Sequence, residues 1–253
     1  MRILILGGTT ESRRLAERLA RRAELTVLLS LAGRTAAPAA HAVPVRIGGF
    51  GGAKGLADYL AGQDFDVLVD ATHPYAAMIS ANAAEAAKLT GIPLLAVRRP
   101  GWGQVAGDRW TEVGDMSEAV QALGNPLRRV FLALGRKEIE PFAEAPQHHY
   151  LVRSIDPVVP PLAVPHAVYV TARGPFDLTG ECSLLEQHHI DVIVAKNSGG
   201  GASYGKIAAA RTLGLPVIVL RRPALPDVEA VQTVEDAVAW LDHALALATA
   251  RGV

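Results

Sequence analysis

Cysteine is almost missing from this chain: Cys182 stands alone among 253 residues. A single thiol excludes a disulfide framework and argues against a cysteine-based metal site. Aromatic residues are scarce, at 5%. Neither sign of charge is in excess, with 25 Lys plus Arg against 25 Asp plus Glu. A chain without net charge carries no electrostatic coat for nucleic acid and no basic face for an anionic membrane, so neither partner is expected. No apolar run approaches the ~20 residues that span a bilayer. The leading run Ile3-Leu4-Ile5-Leu6 is short, ends in glycines and precedes no small-residue cleavage site, so it does not read as a signal peptide. A cytoplasmic location is the expectation. HExxH, Walker A, nucleophile-elbow and paired-carboxylate patterns are also missing, so metal catalysis and acyl transfer lose ground and no metal site is expected.

What the chain has in quantity is Ala, Val, Leu and Gly, and half of its residues are hydrophobic. That composition suits buried parallel strands covered by helices. It also repeats itself. Arg2-Ile3-Leu4-Ile5-Leu6 with Gly8 and Glu11 is echoed by Arg129-Val130-Phe131-Leu132-Ala133 with Gly135 and Glu138. His41-Ala42-Val43-Pro44-Val45 is echoed from His166, and Asp66-Val67-Leu68-Val69 from Asp191. The ten residues Gly91–Pro100, closing in Arg98-Arg99-Pro100, are echoed by Gly214–Pro223, closing in Arg221-Arg222-Pro223. Val113, Met116, Ala119, Val120 and Leu123 are echoed by Val231, Val234, Ala237, Val238 and Leu241. Five matches in one order describe a duplication, with its boundary at the turn-forming Gly124-Asn125-Pro126. The domains expected are 1–125 and 126–253.

Short apolar runs bounded by Gly, Asp or Pro predict strands at 2–6, 25–30, 43–47, 66–70 and 93–97 in the first half. Helices are predicted at 11–22, 53–62, 75–90 and 116–123. The alternation gives an α/β fold of two Rossmann-like domains with parallel sheets and right-handed crossovers. Ligand is expected in an interdomain cleft at the carboxyl edges of the strands. Duplicated halves can also exchange equivalent strands, and the sequence leaves this open.

Chemistry is expected where strands end. Gly7-Gly8-Thr9-Thr10-Glu11 follows the first strand directly, where glycines admit a pyrophosphate to the backbone and a helix presents its free N–H groups. The same residues also suit a plain strand-to-helix turn capped by threonine. An NAD site places an acid at the end of the second strand. Here Ser30 and Arg34 stand there, a hydroxyl and a cation that suit the 2′-phosphate of NADP or, alternatively, a solvated loop. Asp70-Ala71-Thr72-His73-Pro74-Tyr75-Ala76 ends the fourth strand, and His73 or Tyr75 could donate a proton. Thr72 and Pro74 could equally open the following helix. The matching strand of the second half ends in Lys196-Asn197-Ser198-Gly199-Gly200, an anion clamp or a flexible glycine loop, with Lys206 beyond it. Arg99, Arg136, Lys137, Arg173 and Arg222 add forks and charges that match carboxylates.

Taken together, ILILGGTTE, DATHPYA, RGPF, KNSGG and PVIVLRRP resemble the precorrin-6A reductase family over essentially the whole chain. The resemblance implies NADPH as cofactor, hydride delivery to a carboxylate-fringed tetrapyrrole to give precorrin-6B, and release of product to the next enzyme of cobalamin biosynthesis. It places the phosphates on Gly7 through Glu11. It lines the meeting point of nicotinamide and macrocycle with DATHPYA, where Thr72 and Pro74 face the cofactor, and with KNSGG. Three alternatives stand beside it: the same reduction on a cobalt-bearing precorrin, another NADP-dependent reductase, and a non-catalytic nucleotide or corrinoid carrier. The second lacks the Tyr-x-x-x-Lys pair of short-chain dehydrogenases, because Tyr75 is followed by Ile79 and Tyr204 by Ala208.

Overall fold

A computed structural model describes residues 1–33, 40–136 and 138–251, with side chains to residue 246. The predicted strands form at β1 (Arg2–Leu6), β2 (Thr26–Leu31), β3 (Val45–Ile47), β4 (Val67–Asp70) and β5 (Leu94–Val97). The predicted helices form at α1 (Thr10–Leu19), α2 (Gly52–Gly62), α3 (Ala77–Thr90) and α4 (Met116–Leu123). Between β5 and α4 lies β6 (Arg109–Val113). The second half runs β7 (Arg129–Ala133), a 3₁₀ turn (Glu140–Glu144), β8 (His149–Ser154), β9 (Ala167–Thr171), α5 (Leu178–Gln187), β10 (Val192–Lys196), α6 (Gly205–Leu213), β11 (Pro216–Leu220), β12 (Ala230–Val231) and α7 (Val234–Arg251).

The strands form two six-stranded sheets, ordered β3-β2-β1-β4-β5-β12 and β9-β8-β7-β10-β11-β6. Every pairing in both is parallel. Each sheet has the order 3-2-1-4-5-6 of a dinucleotide-binding fold, which reverses direction between its first and fourth strands.

The compact units do not break at 125/126. One comprises Met1–Pro100 with Pro223–Val253, the other Gly101–Arg222. The sixth place in each sheet is filled by the strand from the other half: β12 pairs with β5, and β6 pairs with β11 over five residues. The duplicated halves have exchanged their last strand and helix. The physical reason is that β6 and β12 are copies of one another and each offers an equivalent edge. The chain passes between units at the two Arg-Arg-Pro motifs, after Pro100 in the first and between Arg222 and Pro223 in the second.

In the first unit, alternate residues of the strands feed two cores. Ile3, Ile5, Val27 and Leu29 pack with Leu15 and Leu19 of α1 and with Ala237 and Leu241 of α7. Leu4, Leu6 and Leu68 pack with Leu56 and Leu60 of α2 and with Ala83 and Ala86 of α3. Each fully buried leucine contributes roughly 1.5–3 kcal/mol by area removed from water. In the second unit Phe131, Leu151, Ile193 and Val217 pack with Leu185 of α5 and with Ile207 and Ala210 of α6. The effect is to hold the strand ends, and the loops that leave them, in fixed places. No helix among the described residues is long and apolar enough to cross a membrane.

Candidate functional site

The reversal of strand order in the first unit brings the β1–α1 turn beside the loop after β4. Gly7 donates its N–H to the Ser30 carbonyl at 2.9 Å. A Cβ on Gly7 would stand 2.6 Å from Leu29 Cδ1 and 2.9 Å from Ser12 Oγ, so only glycine fits. Gly8 has φ +112°, where a side chain is strained. Thr9 caps α1, its Oγ1 accepting from the Ser12 N–H at 3.0 Å while Ser12 Oγ accepts from the Thr9 N–H at 3.0 Å. The same Thr9 hydroxyl donates to the Ala71 carbonyl at 2.8 Å and so ties the two loops together.

This geometry sorts the backbone donors. Gly8 and Thr9 N–H both go to Ser12 Oγ. The Thr10 and Glu11 N–H groups have no hydrogen bond among the described residues. Two open donors at a helix N-terminus, with the positive end of the helix dipole behind them, fit a phosphate group. The Glu11 carboxylate, which would oppose an anion, is ion-paired with Arg99 at the end of β5. Arg99, expected on the substrate side, therefore stands beside the β1–α1 turn.

The DATHPYA loop is organised by a buried acid. Asp70, 6% exposed, accepts from Thr72 Oγ1 at 2.6 Å, from the Thr72 N–H at 3.1 Å and from Ser80 Oγ at 2.6 Å. Thr72 thus serves Asp70 and does not cap α3, which begins after Ala76. His73 Nδ1 accepts from the Tyr75 N–H at 3.3 Å, which leaves the proton of the neutral ring on Nε2. The two rings lie 5.7 Å apart. Pro74 is buried between them in sequence.

At the end of β2, Ser30 is buried. Arg34 lies outside the described residues. No Asp or Glu follows β2 through Gly33. The cation the structure does place here is one that sequence reading passed over. Arg46 on β3 is the register partner of Ser30, and its Nη1 lies 3.4 Å from Ser30 Oγ.

In the second unit the equivalent reversal brings the loop after β7 beside the loop after β10. Lys196 is ion-paired with Glu138, whose Oε2 accepts from the Gly135 N–H at 2.8 Å. Asn197 brackets Trp102, accepting from its N–H at 2.7 Å and donating to its carbonyl at 2.9 Å. Trp102 Nε1 donates to the Gly200 carbonyl at 2.8 Å. Arg222 donates to the carbonyls of Asn197 (2.9 Å) and Ser198 (3.0 Å). The KNSGG loop, including Gly199 with φ +67°, is therefore pinned at both ends of the unit's chain segment. Arg136 and Arg173 are exposed, and Lys137 lies outside the described residues.

Lys206 departs furthest from the expectation of a substrate contact. It is buried, its Nζ donating to the Ser203 carbonyl at 2.7 Å and lying 5.1 Å from the centre of the Trp102 ring. Desolvation, helped by the Arg153 charge and opposed by Glu181, pulls it down to about 7. Arg153 and Glu181 form a buried ion pair, with Arg153 stacked 3.7 Å over Phe176 of the RGPF motif.

Of two cavities, one lies away from these loops and the other is lined by the Glu11–Arg99 pair of the β1–α1 turn. One of about 280 Å³ opens at the amino edge of the second sheet, lined by Arg129, His149 and His166. The other, of about 510 Å³, runs along α1 from Glu11 to Arg21. No group of acids, histidines or cysteines among the described residues could hold a metal ion.

Comparison with known proteins bears on what these loops do. The family model described as precorrin-6x reductase CbiJ/CobK matches residues 2–242. A precorrin-6A reductase of Sinorhizobium sp is 55% identical, the match covering 97% of this chain and 94% of that one. The Rhodobacter capsulatus precorrin-6A reductase is 50% identical over 100% of this chain and 99% of its own. A solved structure of CobK precorrin-6A reductase superposes with a TM-score of 0.92 at 49% identity, covering 96% of this chain and 97% of that one.

Proposed function

The chain belongs to the precorrin-6x reductase family, and from that membership we infer that it reduces the precorrin-6A macrocycle to precorrin-6B with NADPH in cobalamin biosynthesis. The observation that carries the reading is identity of 55% and 50% to precorrin-6A reductases along nearly the whole of each chain. Cobalt-precorrin-6A reductases are also similar, at 28% and 27%, and the gap favours the metal-free substrate.

NADPH supplies the hydride, and the protein supplies position and electrostatics. The β1–α1 turn supports phosphate binding through the Thr10 and Glu11 N–H groups, with Gly7 and Gly8 keeping the turn tight. Ser30 and Arg34 are assigned to the 2′-phosphate side. Thr9, through its bond to the Ala71 carbonyl, holds the phosphate turn against the DATHPYA loop. On that loop Thr72 and Pro74 set the cofactor side. His73, with a proton on Nε2, and Tyr75 are the candidate proton donors that complete the reduction. In the second unit Lys196, Ser198, Gly199, Gly200, Arg136, Lys137, Arg173 and Arg222 are assigned to the acidic fringe of the tetrapyrrole. Asn197 shapes their loop, and Lys206 acts from beneath it. The product passes to the next enzyme of the pathway.

The test is direct. Purified protein is incubated with NADPH and either metal-free or cobalt-loaded precorrin-6A, and loss of reduced-nicotinamide absorbance is followed. Oxidation with the metal-free substrate is expected. Oxidation with the cobalt form alone would move the protein to the anaerobic route, and binding without oxidation would make it a carrier.

A further inference from the structure

We propose that Arg46 is a further specificity-determining residue, beside those already assigned, that holds the nucleotide's 2′-phosphate and so separates NADPH from NADH; this rests on the reading of the β1–α1 turn as a nucleotide phosphate site.

In a sheet of this order the ribose next to the adenine lies at the end of the second strand. Arg46 stands there, on β3, in register with Ser30 on β2. Its charge has no carboxylate partner among the described residues. A half-buried arginine without a counter-ion is costly unless a ligand or water completes it.

Next comes the use of its donors. A guanidinium has five N–H groups. Nη1 donates to the Gly48 carbonyl at 2.6 Å and faces Ser30 Oγ at 3.4 Å, and Nη2 donates to the Gly49 carbonyl at 2.7 Å. The donors left over are Nε–H and one on Nη2, enough for two oxygens of one phosphate.

The mounting is rigid. The guanidinium carbon sits 3.9 Å from the centre of the Phe50 ring and 5.1 Å from that of Tyr59. Stacking and two carbonyl bonds fix its plane before any ligand arrives, which lowers the ordering cost of binding. The adjoining glycine loop is uncrowded, since a Cβ built on Gly48, Gly49 or Gly51 would meet nothing within 4 Å.

The experiment compares Arg46→Met and Arg46→Lys with the unaltered protein, by steady-state kinetics with NADPH and NADH and by calorimetric titration with 2′,5′-ADP and 5′-AMP. Arg46→Met is expected to lose about ten- to hundredfold in kcat/KM with NADPH and in 2′,5′-ADP affinity, the size of a lost charged hydrogen bond. NADH turnover and 5′-AMP affinity are expected to stay within about twofold, and Arg46→Lys to recover part of the loss. Circular dichroism melting confirms that each variant is folded. Equal losses with both nucleotides, or an unchanged 2′,5′-ADP affinity in a folded variant, would overturn the assignment and leave Arg46 a brace for its loop. If the unaltered protein itself bound 5′-AMP as tightly as 2′,5′-ADP, the NADPH reading beneath the proposal would fall instead.

Discussion

After β1 the chain turns at Gly7-Gly8 into α1, a ten-residue helix with a capping box. After β7, at the equivalent place in a sheet of the same order, it turns at Gly135 into a 3₁₀ turn of five residues that carries Pro141. The glycine and the glutamate of the turn are kept in both copies, and their uses have diverged. Glu11 pairs with a cation from β5, Arg99, and stays clear of the Thr10 and Glu11 N–H groups. Glu138 folds back to accept the Gly135 N–H and takes its cation from β10, Lys196. A 3₁₀ turn this short has little dipole and few aligned N–H groups to offer a phosphate. The comparison teaches that duplication kept the scaffold twice and the helix end with open N–H groups once. The second copy is left to present side-chain cations instead.

The largest expected difference between the two turns comes from adding one methyl group to each. Gly7→Ala forces a Cβ within 2.6 Å of Leu29 Cδ1 and 2.9 Å of Ser12 Oγ. It should cost about 1–3 kcal/mol in stability by overpacking and weaken NADPH binding at least about tenfold by displacing the cap. Gly135→Ala, at the counterpart of Gly8 where the second copy has Leu134 in place of Gly7, meets only the Glu138 carboxylate, at 2.9 Å, on the movable end of its side chain. Its cost should stay below about 1 kcal/mol, with NADPH binding unchanged. Denaturant melts and nucleotide titrations of the two variants read both quantities. Similar losses from the two would erase the proposed asymmetry.

A second contrast lies beneath the loops. In the first unit the buried polar group near the start of α3, Ser80, meets the Asp70 carboxylate. In the second, the buried polar group at the start of α6 is Lys206, held down to about 7 chiefly by desolvation. Between pH about 7 and the ordinary value of 10.5 the unfolded chain binds the proton and the folded chain has released it. Stability should therefore rise with pH across that window, by up to about 1.4 kcal/mol per unit, and the cost is complete below it. Lys206→Met should abolish the rise and stabilise the protein at neutral pH. Chemical denaturation across the window checks this, and a slope that survives the substitution would place the titration elsewhere.

Asp70→Asn should act more locally. It weakens two hydroxyl bonds of 2.6 Å and turns an acceptor into a part donor. A stability loss of about 1–3 kcal/mol is expected. Turnover should fall about tenfold as the His73 loop loosens, with little change in NADPH affinity. A variant that lost nucleotide affinity before turnover would assign Asp70 to the phosphate turn.

Much of this was legible in the sequence, and the exceptions have physical causes. The strands β1, β4 and β5 announce themselves because they are almost wholly buried and read as apolar runs. β6, as Arg109-Trp110-Thr111-Glu112-Val113, lies at a sheet edge, mostly exposed, and carries no such signal. β12 spans two residues. The exchange of these strands leaves no trace in composition, because interchangeable copies satisfy either sheet. The glycine turn and both strand-end loops were readable, since polar residues after an apolar run mark a carboxyl edge. Arg46 was passed over because it sits inside Val45-Arg46-Ile47, where an arginine looks like the outward residue of a strand. Lys206 misled for the opposite reason. A lysine at a helix start is normally solvated, and only the fold shows it buried over Trp102.

The smallest expected effects give the sharpest division of labour. Glu11→Gln and Glu138→Gln each remove one partly exposed carboxylate, 22% and 28% exposed, so each should change stability by no more than about 1 kcal/mol. Each also removes the charge that offsets a cation at a strand end. In the first unit that cation is Arg99, beside the open N–H groups of α1, so Glu11→Gln should lower the KM for NADPH a few-fold and leave the KM for the macrocycle alone. In the second it is Lys196, so Glu138→Gln should do the reverse. The signs follow from electrostatics: an anionic ligand gains when the competing acid is neutralised. Measured at low ionic strength, where screening is weakest, the two variants should move different Michaelis constants. If both moved the same one, equivalent glutamates would be serving a single ligand, and the two turns would not have parted ways after duplication.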